Sequence, residues 1–310
     1  MRGGTIKDAI LIHSPEYGNW VFDATHPTQG RRFINARNRF VTYADMAGLD
    51  IEEVEPRLAH ESELLLVHDG TYIWKVSVHG SSGEWSGNRV DLGQLAQLMA
   101  GGTMRALEML LDGETKLAIN FAGAKHHAMR DHSSGYCIFG DLAMASTVAT
   151  SLGHRVAIFD CDAHHGDGTE ILLAGNDDVL TFSVHQQWIF PYTGYLSDPF
   201  LHVFNYPLQA GDGDTQLMEA TREFVRVAYE FEPTMIFIAC GADALKDDPL
   251  SDLEYSVRGY ATAMRSIRQA FPDLPILMGG AGGYLPDSGT PEVWARAGVA
   301  LARVGALTHP

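Results

Sequence analysis

Cysteine is scarce in this sequence: Cys137, Cys161 and Cys240 are the only three in 310 residues, and no two stand in a CxxC pair. A disulfide framework and a thiolate zinc ribbon are thereby excluded, and a reducing compartment fits. Positive charge is also in short supply. Lys and Arg number 22 against 39 Asp and Glu, a formal net charge of −17. Such a balance repels nucleic-acid phosphates and anionic lipid headgroups, and steers cationic small molecules or Lys-rich peptides inward. Neither direct nucleic-acid binding nor membrane association is expected. No run of about 18 apolar residues occurs, and the start Met1–Asp8 lacks the apolar core of a signal peptide. A cytoplasmic location is the expectation. Internal repeats and low-complexity segments are missing as well.

What is present has an ordinary globular balance, 45% hydrophobic and 20% charged residues. Short Val-, Ile- and Phe-rich runs alternate with stretches of helical period, the pattern of βαβ units around a parallel sheet. Strands are predicted at Ala9–His13, Leu117–Phe121, Val156–Asp160, Val179–Val184, His202–Tyr206, Met235–Cys240 and Ile276–Gly279. Helices are predicted at Ile34–Ala47, Asp91–Leu111, Gly140–Leu152, Thr215–Phe231, Ser256–Phe271 and Pro291–Val304, with Asp91 and Thr215 as N-caps and Pro291 in a first turn. The polar stretch Ser77–Asn88 is too short for a domain linker, so one domain over 1–310 is expected.

Ligands of an open parallel sheet bind beyond the carboxyl ends of the strands. Here those positions carry Lys125-His126-His127, Asp160-Cys161-Asp162-Ala163-His164-His165-Gly166-Asp167, Ser183-Val184-His185, Asp243 and Gly282-Gly283-Tyr284. Five strands thus deliver His, Asp or Tyr to one edge. Two carboxylates and an imidazole suit a divalent ion such as zinc, and Asp162 and His164, two apart in an extended segment, point the same way. Asp243 on a neighbouring strand can add a third ligand. Asp160 and Asp167 are then free to back His126 and His127, fixing tautomers and raising basicity. A phenol at Tyr284 can donate to a tetrahedral oxyanion. The glycines before it are not a phosphate loop, because no Lys-Ser/Thr follows.

Taken together, Gly123-x-x-His126-His127, Gly135-Tyr136-Cys137, Asp160-x-Asp162-x-His164-His165-Gly166-Asp167-Gly168, Gly241-Ala242-Asp243 with Asp248-Pro249, and Gly282-Gly283-Tyr284 resemble the zinc-dependent histone deacetylase superfamily. That superfamily includes acetoin-utilisation-type deacetylases and acetylpolyamine amidohydrolases. The resemblance implies an arginase/deacetylase-like three-layer α/β/α sandwich around a parallel, roughly eight-stranded sheet. It implies one Zn2+ per chain, with Fe2+ or Co2+ as substitutes, held by Asp162, His164 and Asp243. Tandem His126 and His127 would be backed by Asp160 and Asp167 respectively, with His127 as base and acid and Tyr284 at the oxyanion. A K+ would lie beside Asp160, Asp162, His164, Ser183 and Val184. Gly135 and Tyr136 would wall the acyl-lysine tunnel opposite Phe190, and Arg32 would match an inner-channel arginine.

The implied activity is hydrolysis of acetyl or short acyl groups from acylated amines, foremost acetyl-lysine in peptides or proteins, by activated water. Leu250 stands where acetylpolyamine enzymes place a glutamate, which favours acetyl-lysine, whereas the acidic charge suits any cationic amine, so acetylpolyamine is the alternative. The chain departs from the family in Asn120-Phe121-Ala122-Gly123-Ala124-Lys125, where Arg-Pro-Pro-Gly is common, and this alters the pocket floor. Glu84 is the nearest stand-in for a substrate-anchoring aspartate. A ureohydrolase would need further carboxylates where Gly166 and Leu245 stand, and a catalytically dead acyl-lysine binding module would have lost a ligand, a tandem histidine or the tyrosine. A subunit interface on the helix Asp91–Leu111 and the Trp85 loop is the oligomeric alternative to a core role for those residues.

Overall fold

A computed structural model describes residues 6–303. Eight strands form one all-parallel sheet: β1 Ala9–Ile12, β2 Ile51–Val54, β3 Leu117–Asn120, β4 Val156–Asp160, β5 Val179–Gln186, β6 Val203–Leu208, β7 Met235–Ala239 and β8 Ile276–Gly279. Their order is β2-β1-β3-β8-β7-β4-β5-β6. Residues of β1, β3, β4, β7 and β8 are buried throughout, as strands covered on both faces must be. The helices are α1 Arg31–Met46, α2 Glu61–Leu64, α3 Gly70–Ser77, α4 Val90–Leu111, α5 Asp141–Ser151, α6 Asp167–Leu173, α7 Asp214–Phe231, α8 Val257–Ala270 and α9 Gly289–Ala302. One set, α1, α9, α8 and α7, packs in that succession. Another, α3, α4, α5 and α6, does likewise, and both sets rest on the sheet. The three-layer α/β/α expectation holds.

Each helix buries the stripe its sequence supplies. In α7, Leu217, Ala220, Thr221, Phe224, Val227, Ala228 and Phe231 recur at helical spacing and are all buried. Phe224 meets Phe159 of β4 and Phe182 of β5 at 4.9 and 5.7 Å between ring centroids. Trp294 of α9 stacks between Phe33 and Phe121, and its indole N–H donates to the Cys240 carbonyl at 2.8 Å.

Several expected boundaries are corrected. Asp91 and Thr215 are not N-caps: Arg89 and Gly213 hold those positions, and each acid or hydroxyl lies within the first turn. Ser256 caps α8 instead, its hydroxyl accepting from the Gly259 N–H at 3.0 Å. Helix α9 starts at Gly289 with Pro291 in its first turn, and Val304 lies outside the described residues. Strand β2 escaped the pattern because Glu52 and Glu53 break its apolar run, as suits a half-exposed edge strand. Trp85 and most of α4 are core rather than surface.

His68 fastens the segment that frames the pocket. Its Nδ1–H donates to the Met129 carbonyl and its Nε2 accepts from the Gly140 N–H, both at 2.9 Å, which requires the neutral ring. Burial draws its pKa down to about 4, against hydrogen bonds that favour the charged form. The folded pKa lies below the unfolded value, so this stabilisation is complete above about pH 6.5 and is lost as pH falls toward 4. The group alone should cost about 3 kcal/mol across that interval. Urea unfolding measured between pH 7 and 4 should show a shallower decline for His68→Gln than for the wild type. Equal slopes would refute the assignment.

Candidate active site

The strand order puts β3, β8, β7, β4 and β5 side by side. Those are the five strands whose carboxyl ends carry the candidate residues, so side chains spread over some 160 positions of sequence meet along one edge.

Asp162, His164 and Asp243 converge, with one donor atom from each lying within 4.8 Å of the others, and all three are buried. Backbone amides aim them. The N–H of Gly282 donates to Asp162 Oδ2 at 2.6 Å and that of Ala163 to Asp243 Oδ1 at 2.9 Å. The remaining oxygens, Asp162 Oδ1 and Asp243 Oδ2, stand 3.2 and 3.0 Å from His164 Nδ1. A Cβ at Gly282 would run into both carboxylates, so only glycine fits there. Electrostatics make the triad a cation trap. Against burial, His126 and His164 hold Asp162 well below the usual carboxylate range. Burial and the Asp162 charge push Asp243 up to about 6. His164 rises to about 10 because hydrogen bonds to the two carboxylates outweigh its burial. Two carboxylates and one imidazole nitrogen, oriented and converging, fit a divalent metal, which would displace the proton that His164 otherwise shares with the two acids.

The tandem histidines lie beside the triad with ring centroids 4.0 Å apart. His126 Nδ1 bonds Asp160 Oδ2 and His127 Nδ1 bonds Asp167 Oδ1, each at 2.7 Å. Both Nε2 atoms are thereby left for chemistry, and that of His126 is 3.7 Å from Asp162 Oδ1. The two rings titrate apart. Burial lowers His127, the charge of His126 lowers it further, and it sits at about 4. Against its own burial, Asp160 and Asp162 raise His126 to about 9. Near neutrality the His127 ring is neutral with Nε2 open as a proton acceptor, whereas the His126 ring favours the doubly protonated form.

A cavity of about 370 Å³ opens onto this edge, lined by Glu84, His127, Gly135, Tyr136, His164, Ile189, Phe190, Leu250 and Tyr284. All four expected pocket residues, Gly135, Tyr136, Phe190 and Leu250, are there. The Phe190 ring lies edge-on to His127 at 4.9 Å. Gly135 has φ +54° and would press any Cβ into the His127 ring. Trp188 is 69% exposed and lies tilted against Tyr195 with ring centroids 4.8 Å apart, outside the pocket lining. Glu84 is half-buried, and its Oε2 accepts from the Tyr136 N–H at 3.0 Å. Ser183 pairs in register with Asp160, and its hydroxyl bonds His185 Nδ1 at 2.9 Å, with Val184 buried next to it. Burial and the charges of Asp243 and Asp162 push Tyr284 well above 10, so its phenol is a permanent donor.

Three supports were not legible as such. Asp248 accepts from the Tyr284 N–H at 2.8 Å, Asp141 accepts from the Ala124 and Lys125 N–H groups at 2.8 and 2.6 Å, and Ile189 completes the wall. The adjacency of Asp248 to Pro249 was the one available signal for the first.

Residues 26–299 match the family model described as the histone deacetylase domain. The chain belongs to this histone deacetylase family. It is accordingly a hydrolytic deacetylase of a metal-dependent family, with a triad able to hold the ion. Among relatives, the acetoin utilization protein AcuC of Bacillus subtilis (strain 168) is 33% identical, over 94% of this chain and 81% of that protein. Human histone deacetylase 1 is 28% identical, over 91% of this chain and 62% of that protein, so the chain spans less than two thirds of the human enzyme. The crystal structure of the HDA15 HD domain superposes with a TM-score of 0.85 at 23% identity, covering 96% of this chain and 89% of that one, which establishes the shared fold.

Proposed function

We propose that this chain is a single zinc-dependent catalytic domain that removes acetyl groups from lysine side chains of peptides or proteins in the cytoplasm. Asp162, His164 and Asp243 would hold the zinc, and Asp160, Asp162, His164, Ser183 and Val184 would surround a K+. A zinc ion bound there supplies Lewis acidity toward the acyl carbonyl and activates water. The protein groups do the rest. Neutral His127, its Nδ1–H held by Asp167, takes the proton of the attacking water at Nε2. His126, protonated against Asp160, supports proton delivery to the departing amine. Tyr284 donates its hydroxyl to the oxyanion, and Gly135, Tyr136, Phe190 and Leu250 enclose the methylene stem and exclude water. The observation that carries this reading is the pair of adjacent histidines, each hydrogen-bonded to its own carboxylate, beside the convergent Asp162, His164 and Asp243 at one pocket.

Glu84 supports a second reading. A half-buried carboxylate in the pocket lining suits a small acylated polyamine, whereas Leu250 withholds a second acid from it. No helix among the described residues is long and apolar enough to cross a membrane.

Acetate release from an acetyl-lysine peptide and from N-acetylputrescine, before chelation, after it and after zinc return, separates the readings. Activity on the peptide that chelation abolishes and zinc restores is expected. Turnover of acetylputrescine alone would keep the chemistry and overturn the substrate, and no acetate from either would overturn hydrolysis of both. Chelation should also lower the unfolding midpoint, since a ligand present at about 1,000 times its Kd adds about 4 kcal/mol.

A further inference from the structure

Two bases are buried next to residues of the pocket wall, one behind Tyr284 and one before the tandem histidines, without a carboxylate of their own. Lys125 immediately precedes His126, and Arg32 lies in the first turn of α1 behind Tyr284, its guanidinium 5.6 Å from that ring. Both face the Phe33 ring, Arg32 Cζ at 4.9 Å and Lys125 Nζ at 5.5 Å from its centroid. Arg32 Nη1 donates to the Gly283 carbonyl at 2.6 Å, and its buried Nε has no partner among the described residues.

Lys125 has neither an ion pair nor a side-chain hydrogen bond among the described residues, and 7% of it is exposed. The acids nearby are engaged. Asp141 is filled by two backbone amides and the Thr103 hydroxyl, and Asp162 and Asp243 by backbone amides and His164. A buried cation without an anion is costly. Burial and the charge of Arg32 lower Lys125 to about 8, so at neutral pH it is still mostly charged.

We propose that Lys125 and Arg32 form a carboxylate-binding subsite at the inner end of the acyl pocket, and that the acyl groups removed include short ones ending in a carboxylate, such as succinyl. The inference rests on the acyl-lysine reading above. Hydrolysis would break the amide C–N bond, form a C–O bond to water, and release succinate and the protonated amine. The carboxylate tail would take up the Lys125 ammonium and the idle Arg32 Nε–H.

The test compares kcat/KM on succinyl-, butyryl- and acetyl-lysine versions of one peptide, for the wild type, K125L and K125R. Succinyl and butyryl differ in charge at nearly equal size. A charge-assisted hydrogen bond predicts a succinyl preference of about 10- to 100-fold, lost in K125L and kept in K125R. A butyryl preference in the wild type, or a ratio unmoved by K125L, would overturn the subsite, as would turnover of acetyl alone, which leaves the deacetylase reading standing.

Calorimetric binding of succinamate against butyramide to the chelated protein gives a readout independent of turnover. Selective succinamate binding that K125L or K125Q abolishes supports the subsite, and equal binding refutes it. If none of the three peptides is cleaved by the zinc-loaded protein, the acyl-lysine reading fails, and the calorimetry alone decides for or against the anion subsite.

Discussion

Replacing Tyr284 with Phe should lower kcat by about 10²- to 10³-fold, the usual cost of losing one oxyanion donor. The fold should be untouched, because the hydroxyl makes no hydrogen bond among the described residues while the ring keeps its contacts with Arg32 and Tyr136. The backbone anchor to Asp248 is likewise unaffected. Tyr284 lines the same cavity as His127 and His164, and its phenol stays protonated throughout the working pH range. Steady-state kinetics on an acetyl-lysine peptide, with metal content and unfolding midpoint measured in parallel, check the effect. A kcat loss with metal content and stability preserved is the expected outcome. A loss below about threefold would remove Tyr284 from the reaction, since that is far short of the donor effect.

The largest expected effect on stability lies at the opposite end of the sheet. Arg268 of α8 is buried, with its guanidinium spent on carbonyls: Nε donates to Leu301 at 2.9 Å, Nη1 to Leu274 at 2.9 Å and Nη2 to Lys116 at 3.0 Å. One side chain thus closes the end of α9 and the entries to β3 and β8. Arg268→Met keeps much of the apolar stem but strands the Leu301 and Leu274 carbonyls, while that of Lys116 still accepts from the Ile276 N–H, and should cost about 3–5 kcal/mol. Guanidinium unfolding should show this as a lower midpoint, while KM for the surviving folded enzyme is unchanged, because the residue lies far from the pocket lining. A midpoint within error of the wild type would show that water satisfies those carbonyls.

Much of the site was readable before any coordinates. Asp160 ends β4, Asp162 and His164 follow at alternate positions of the bend beyond it and Asp167 opens α6, so one short segment carries four site residues, and His126-His127 stand likewise in the loop after β3. Strands with unbroken apolar runs were equally plain, and β8 was placed to the residue. Edge strand β2 was invisible because its glutamates erase the alternation that burial would impose. Short helices such as α3 and α6 were lost because each is under three turns long, too short for periodicity to rise above loop composition.

The sequence by itself determined the local chemistry: which residue types end each strand, that acid exceeds base, and that His and Asp are spaced as ligands and relays. The tertiary structure decided everything that depends on neighbours remote in the chain. Strand order alone brought β3 beside β8 and β7 beside β4, so that Tyr284 shares a pocket with His127 and Asp243 meets His164. Packing set the opposite pKa shifts of two adjacent histidines, because burial and the Asp160 and Asp162 charges act over a few ångströms of space rather than along the sequence. It also turned Lys125 from a loop residue into a buried cation without a carboxylate, a property that belongs to its surroundings and not to its name.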